Sequence, residues 1–283
     1  MKTKHLRLMQ RAYVILFFCF MYLPIAYMVV FSFNQSKGYA LFTGFTFKWY
    51  TSLLHNESIL HALWVSLYLA LFSAVIATVL GTAASLGIAS MGRKSRLLVT
   101  NITYITTVNP EIITGISLMM LFVAYQRFAS ELDFLPDNIM GFPTLLIAHI
   151  AFNVPYVIFN VTPKLKQLDI KLFEAALDLG ASPVTALVKV VLPQILPGVI
   201  SGFALAVTLS LDDYFIASYT KPATFDTIST YVVNATKGSQ TEIKTALWAL
   251  STVIFVVVIL VVAGMNFAAK TKAKTGKAGG RYE

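Results

Sequence analysis

Charge is scarce in this chain. Only 12% of its 283 residues are Asp, Glu, Lys or Arg, while 57% are hydrophobic. Soluble domains carry about 25% charged and about 45–50% apolar residues. Too few charged groups exist here to coat a soluble fold of this length. Disorder is excluded by the same figures, because disordered chains are rich in charge and poor in apolar side chains. Cysteine is almost absent. The single Cys19 rules out an internal disulfide, no zinc-ligand spacing exists, and in its apolar run it reads as a small buried or lipid-facing side chain. Catalytic signatures are missing too: there is no HExxH, no GxSxG and no pair of zinc ligands. The nearest approach to a phosphate-binding loop runs from Gly87 through Gly92, Arg93, Lys94 and Ser95. It has an extra Arg before the Lys and closes an apolar run instead of following a strand, so its context refutes it. The chain itself is not expected to be an enzyme.

What is present is membrane-length apolar sequence. A helix needs about 20 residues to cross the hydrocarbon core. Six segments qualify, at 13–33, 62–91, 97–125, 140–163, 197–219 and 245–269. The third is interrupted by Asn109, Pro110 and Glu111, and Pro110 predicts a kink because it removes a helix hydrogen bond. The first follows a basic start (Lys2, Lys4, Arg7, Arg11) but is longer than a signal-peptide core and lacks a small-x-small site, so it reads as a retained span. The expected fold class is an all-α integral membrane protein with six transmembrane helices. It forms one domain over 1–283, with a core region at 62–269 behind the first span.

The 22 basic residues sort by side. Sixteen lie in the amino terminus, the 92–96 and 164–196 loops and the carboxyl tail, and six in the loops 34–61, 126–139 and 220–244. The positive-inside rule then places both termini in the cytoplasm. With the acids included, the inner side nets +12, the outer loops 0 and the spans −3, which together give the formal +9. The basic excess is thus explained by topology and contact with anionic lipid, and a nucleic-acid partner is not needed.

The 164–196 connection is long enough to hold structure. Leu172, Phe173, Ala176, Leu177 and Leu179 predict an amphipathic helix of about two turns with Gly180 as its stop. Ser182-Pro183 predicts a new helix start, and Thr185 to Leu192 a second short helix ended by Pro193. The apolar stripe of this elbow has no evident intramolecular core to cover it, and a partner's groove is the natural place to bury it.

Glu174-Ala175-Ala176, then Gly180, then Leu192-Pro193 resembles the EAA loop of ATP-binding-cassette importer permeases, with Val190 where that pattern usually has Ile. The segments 45–50 (FTFKWY), 109–118 (NPEIITGISL) and 209–213 (LSLDD) extend the likeness over essentially the whole chain. Together they resemble the permease subunits of spermidine/putrescine importers, the binding-protein-dependent type I class. That resemblance implies the type I importer permease fold in a bacterial plasma or inner membrane. It also implies a second homologous permease subunit, two ATPase subunits and an extracytoplasmic polyamine-binding protein as partners. ATP and Mg would be bound by the ATPase, and this chain would carry no cofactor. The implied ATPase-coupling residues are Glu174, Ala175, Ala176, Leu179, Gly180, Ala181, Leu192 and Pro193.

Glu111, Asp212 and Asp213 fall within the expected spans, Glu111 near the middle of the third. Ionised carboxylates in hydrocarbon are costly and normally face a cavity, a partner or each other. A polyamine needs carboxylates for its ammonium groups and aromatic faces for charge and stem. The spans offer acids and no basic residue, with Tyr214 beside the pair as an aromatic contact. Successive helical residues point about 100° apart, so one of Asp212 and Asp213 can line a path while the other meets a helix end, a hydroxyl or another chain. A purely structural role at a permease–permease interface is the alternative for each acid. His149 is expected to hydrogen-bond to a neighbouring helix before it is expected to carry protons. Trp49, Tyr50 and Trp248 read as interfacial belt or packing residues. Two rival functions stand beside the polyamine importer: the same engine with another small solute, and an ion-coupled secondary transporter.

Overall fold

A computed structural model describes residues 2–36, 41–130, 140–237, 246–256 and 259. Among them regular structure is helical, save one isolated bridge between Asn34 and Phe45. The chain is therefore all-α. The helices are α1 (Lys2–Phe31), α2 (Lys48–Leu54), α3 (Glu57–Ser90), α4 (Arg93–Val108), α5 (Glu111–Ser130) and α6 (Phe142–Gln167). They continue as α7 (Ile170–Asp178), α8 (Pro183–Ala186), a π turn (Leu187–Val191), α9 (Leu192–Asp212), α10 (Phe215–Thr220), α11 (Ile228–Lys237) and α12 (Ala246–Val256). Five runs are long and apolar enough to cross a membrane: Met9–Phe31, Glu57–Ser90, Glu111–Phe128, Phe142–Gln167 and Pro183–Asp212. About half of the expected sixth span, 245–269, lies outside the described residues.

Two compact units are present, one drawn from Met1–Leu60 and Asn234–Glu283, the other His61–Val233. In the first, α1 exposes its large side chains from Tyr13 to Leu23 on every face. After it, Asn34 organises a turn. Its amide donates to the Leu41 carbonyl at 2.9 Å, and its side-chain oxygen accepts from the Thr43 N–H at 2.9 Å. The buried Trp49 donates its indole N–H to the Asn34 carbonyl at 2.7 Å, and the Tyr50 hydroxyl meets Ser32 Oγ at 2.7 Å. Trp248 lies edge-on to Tyr27 and Phe31, with ring centres 6.3 Å apart in both pairs. Of the two readings for these aromatics, packing is the one observed.

The second unit is built on close backbone approach. Gly198, Gly202, Ala206 and Ser210 recur every four residues on α9 and are all buried. A Cβ added at Gly198 would lie 2.8 Å from the Asn160 carbonyl oxygen, and one at Gly202 3.3 Å from Val157 Cα. On α3, a Cβ at Gly81 would meet Val157 at 2.7 Å. Small residues at such positions let helices touch where lipid provides no hydrophobic drive between them. Val157 and Val161 of α6 then pack with Ala74, Ala77, Ile195 and Ala206. A polar seam crosses the same contact: Asn153 Nδ2 donates to Ser210 Oγ at 2.7 Å, and Ser210 Oγ meets Ser73 Oγ at 3.0 Å.

Two expectations are corrected. The 97–125 segment is not one kinked span but two helices, α4 and α5. Asn109 is extended (ψ 131°), as a residue before proline prefers, and the helix restarts at Glu111. The second concerns Pro193, which does not end a short helix. Leu192 N–H bonds to the Leu187 carbonyl, five residues back, and this widened turn passes Pro193 into α9. The 197–219 span accordingly becomes a helical run from Pro183 to Asp212, broken at Asp213.

Replacing Gly198 by Leu should separate α9 from α6 and cost about 1–3 kcal/mol, the usual range for overpacking. The same change at Gly87, where an added Cβ meets nothing within 4 Å, should leave thermal unfolding of the purified protein unchanged.

Candidate functional site

The first site is the elbow between α6 and α9. Asp169 caps α7, its carboxylate accepting the Lys171 N–H at 3.1 Å. At the other end, Gly180 N–H bonds to the Leu177 carbonyl at 2.9 Å and Ala181 N–H to the Ala176 carbonyl at 3.1 Å. This pair of bonds is a Schellman ending, and Gly180 takes the left-handed conformation it requires, with φ +87°. Nothing lies within 4 Å of a Cβ there, so backbone conformation and not space selects glycine. Ser182 then caps α8. Its Oγ accepts the Thr185 N–H at 3.3 Å, with Pro183 at the first helical position. Glu174 and Ala175 are exposed, and Leu179 is 89% exposed.

One expectation about the elbow is revised. Its apolar stripe is partly covered by the chain itself, because Phe173 packs against the cluster of Val191 and Ile195. Leu172 and Leu179 remain exposed. Leu192 and Pro193 do not sit on the elbow with Glu174 but lie further on, where the π turn joins α9.

The second site is at the opposite end of α9. Asp213 is 4% exposed and ends the helix. Its carboxylate accepts the Ile216 N–H at 3.1 Å and the Ala217 N–H at 2.7 Å, so it caps α10. Its carbonyl accepts from Ser229 Oγ. Asp212, one residue earlier, stays exposed. The two acids thus divide as their angular offset requires, one meeting a helix end and one open. Tyr214 is half-buried, its ring edge-on to Phe215 at 5.3 Å.

Glu111 is not mid-span. It opens α5, where a negative charge suits the positive end of the helix dipole. One turn on, Gly115 lets α5 settle on α10, since a Cβ there would lie 3.1 Å from the Phe215 carbonyl oxygen and 3.2 Å from Ile216 Cα. Glu111, one turn before Gly115, therefore lies at the end of α5 that packs on α10. Three acids spread over about a hundred residues of sequence therefore converge on α10. Lys221 is the nearby cation, and its ammonium is held 3.0 Å from the Asp226 carboxylate.

His149 was expected to hydrogen-bond to a neighbouring helix. It is fully buried on α6 with Nε2 3.6 Å from the Asp213 carboxylate, a close polar contact longer than a hydrogen bond. Asn153 makes the interhelical bond instead. The Ser73–Ser210–Asn153 seam was missed in the sequence. The four-residue recurrence of Gly198, Gly202, Ala206 and Ser210 is the signal that exposes it.

Five membrane-length helices, with an exposed glycine elbow at one end of the helical run Pro183–Asp212 and carboxylates at the other, describe a polytopic membrane protein. Over residues 77–272 the chain matches the family described as binding-protein-dependent transport system inner membrane component, and it belongs to that family. It is thus a multi-pass inner-membrane permease subunit. Among curated relatives it is 33% identical over 273 residues to the spermidine/putrescine transport system permease protein PotC of Escherichia coli (strain K12), covering 95% of this chain and 98% of that protein. It is 38% identical over 208 residues to the putrescine transport system permease protein PotI of the same strain, covering 73% and 72%. A solved chain from a bacterial ABC transporter involved in the import of the acidic polysaccharide alginate shares the fold. Its TM-score is 0.74 at 19% identity, covering 93% of this chain and 95% of that one.

The two neighbouring acids should separate in a stability measurement. Asp213→Asn weakens charge-assisted bonds to two backbone N–H groups, a loss of about 1.5–3 kcal/mol. Asp212→Asn, at an exposed carboxylate, should stay within about 0.5 kcal/mol. Thermal unfolding of the purified variants checks this.

Proposed function

We propose that this chain is one of two permease subunits of an ATP-driven importer for polyamines, spermidine or putrescine. It would form half of the path as a single six-span domain with both termini cytoplasmic. A second, homologous permease subunit supplies the other half. Two ATPase subunits bind ATP and Mg beneath them, and an extracytoplasmic binding protein delivers cargo. This chain carries no cofactor of its own.

The observation that carries the cargo is the placement of three acids around α10: Asp212 and Asp213 lead into it, and Glu111 opens the helix that packs on it through Gly115. A path lined with acids has the right sign for a protonated amine chain and the wrong sign for an oxyanion. The identity to PotC and PotI supports the same cargo. Fold alone does not, since the alginate importer shares it. Within the cluster, Asp212 and Glu111 are the proposed ammonium contacts, Tyr214 offers an aromatic face, and Asp213 fixes the joint that presents them.

Coupling runs through the elbow. Glu174, Ala175, Ala176, Leu179, Gly180 and Ala181 form the face that docks on the ATPase, and Leu192-Pro193 carries its motion into α9. The helical run Pro183–Asp212 spans 30 residues, about 45 Å at 1.5 Å per residue. The hydrocarbon core is about 30 Å thick. The run is therefore long enough to reach from the cytoplasmic surface to the acid cluster as one continuous helix, with the π turn and Pro197 within it.

Two experiments test this on the reconstituted complex. Glu174→Arg should leave insertion and assembly intact while separating ATP hydrolysis from uptake. At Gly180, Asn should preserve coupling because it tolerates the left-handed conformation, whereas Val should abolish it. Full uptake by both Glu174→Arg and Gly180→Val contradicts the coupling role. Separately, Asp212→Asn or Glu111→Gln should lower spermidine uptake about tenfold or more, the scale of one charged hydrogen bond. Unchanged uptake kinetics in both would remove these acids from the path.

A further inference from the structure

A cavity of about 440 Å³ opens beside the elbow, bounded by α3, α4, α6, α7 and the π turn. That is within the range of small-molecule sites, about 300–1,000 Å³. Leu86, Leu97, Leu165 and Phe173 supply an apolar wall, and Arg96 and Lys166 supply the charge. Among the described residues, no acid lines it. Arg96 is anchored there, its Nη2 donating to the Ala89 carbonyl at 2.7 Å and the Met91 carbonyl at 2.9 Å. Guanidinium has five N–H donors, and both of these bonds use Nη2 alone.

A second observation concerns α4. A helix amino terminus is its positive pole and is stabilised by negative groups. The first turn of α4 has no acid and holds Arg93, Lys94 and Arg96, while its cap residue, Gly92, has no side chain to accept the free N–H groups. Of the three, Arg96 lines the cavity, where its Nη2 meets the carbonyl end of α3 and its other N–H groups are left for a ligand, while Arg93 and Lys94 add positive charge on the same first turn. An anion with an apolar tail relieves both features at once. Basic pockets between membrane helices on the cytoplasmic side bind anionic lipid headgroups.

We propose that this cavity binds an anionic glycerophospholipid of the cytoplasmic leaflet, its phosphate on Arg96 and Lys166 and an acyl chain against Leu97 and Phe173. The site rests on the orientation and coupling role given above. Phe173 lies on the same helix as Glu174, so a seated lipid holds the elbow against the spans that it moves.

The test uses the complete complex in nanodiscs of equimolar phosphatidylcholine and phosphatidylglycerol. It is then exchanged into detergent, and retained lipid is counted by mass spectrometry. The native complex should retain phosphatidylglycerol in preference to phosphatidylcholine. Lys166→Gln should lower that retention about fivefold, the contribution of one basic residue near an anionic surface. Leu97→Trp, which fills the cavity without touching a charge, should lower it as well, and the two variants share no structural risk. Retention in both variants equal to the native level overturns the site. Displacement of the lipid by inorganic phosphate at equal concentration also overturns it, because the acyl chain would then contribute nothing. Lipid retention is read without transport. A failed coupling role would show as normal uptake by Glu174→Arg, and a failed lipid site as unchanged retention.

Discussion

The structure depends on how closely α9 lies against α6. Gly198 and Gly202 bring two backbones to a distance that a single added Cβ would violate. In a bilayer, apolar side chains gain little by leaving lipid for protein, so this contact rests on shape, dispersion and the Asn153–Ser210–Ser73 hydrogen bonds. Both proposed functional sites adjoin α9. The elbow enters it through the π turn, and the acid cluster begins where it ends. Small residues hold α9 against α6 from Gly198 to Ser210, so that stretch shifts or tilts as a body, while the π turn and Pro197 are the points at which the run would bend if it bends.

Each end of the rod is closed by a different capping device. At the elbow, glycine's tolerance of positive φ lets α7 end in a Schellman turn and α8 begin two residues later. At the far end, the Asp213 carboxylate satisfies the amide groups that start α10. One acid is thus committed to backbone geometry. Its neighbour Asp212 and the more distant Glu111 have no such backbone role and are the carboxylates proposed to meet cargo. Carboxylates grouped in a membrane protein need a partner, and the proposed polyamine, a multivalent cation, is one that suits them.

Much of this was legible in the residues, and what was not has identifiable causes. Membrane-length runs and the elbow stand out because apolarity and the Glu174-to-Gly180 spacing are local properties. The break at Asn109-Pro110 was read as a kink because proline forces only the loss of one bond. The restriction on Asn109 is also local, imposed sterically by the Pro110 ring, and was legible as a break as well as a kink. The passage through Pro193 was hidden because an insertion of π geometry leaves no fixed sequence mark. The convergence of Glu111 on Asp213 required knowing that Gly115 admits the backbone of α10, which is a tertiary fact.

The central claim is that Pro183–Asp212 moves as one rigid rod between the elbow and the acid cluster. It is most directly measured by pulsed electron spin resonance on the whole complex, with Cys19 replaced by Ser and spin labels at Val184→Cys and Thr208→Cys, both exposed positions. A rigid helix predicts one narrow distance distribution centred near about 36 Å, the same in the nucleotide-free and ATP-trapped states. A distribution that shifts by a full helical turn, about 5 Å, or splits in two on ATP binding would show a joint at the π turn and contradict the claim.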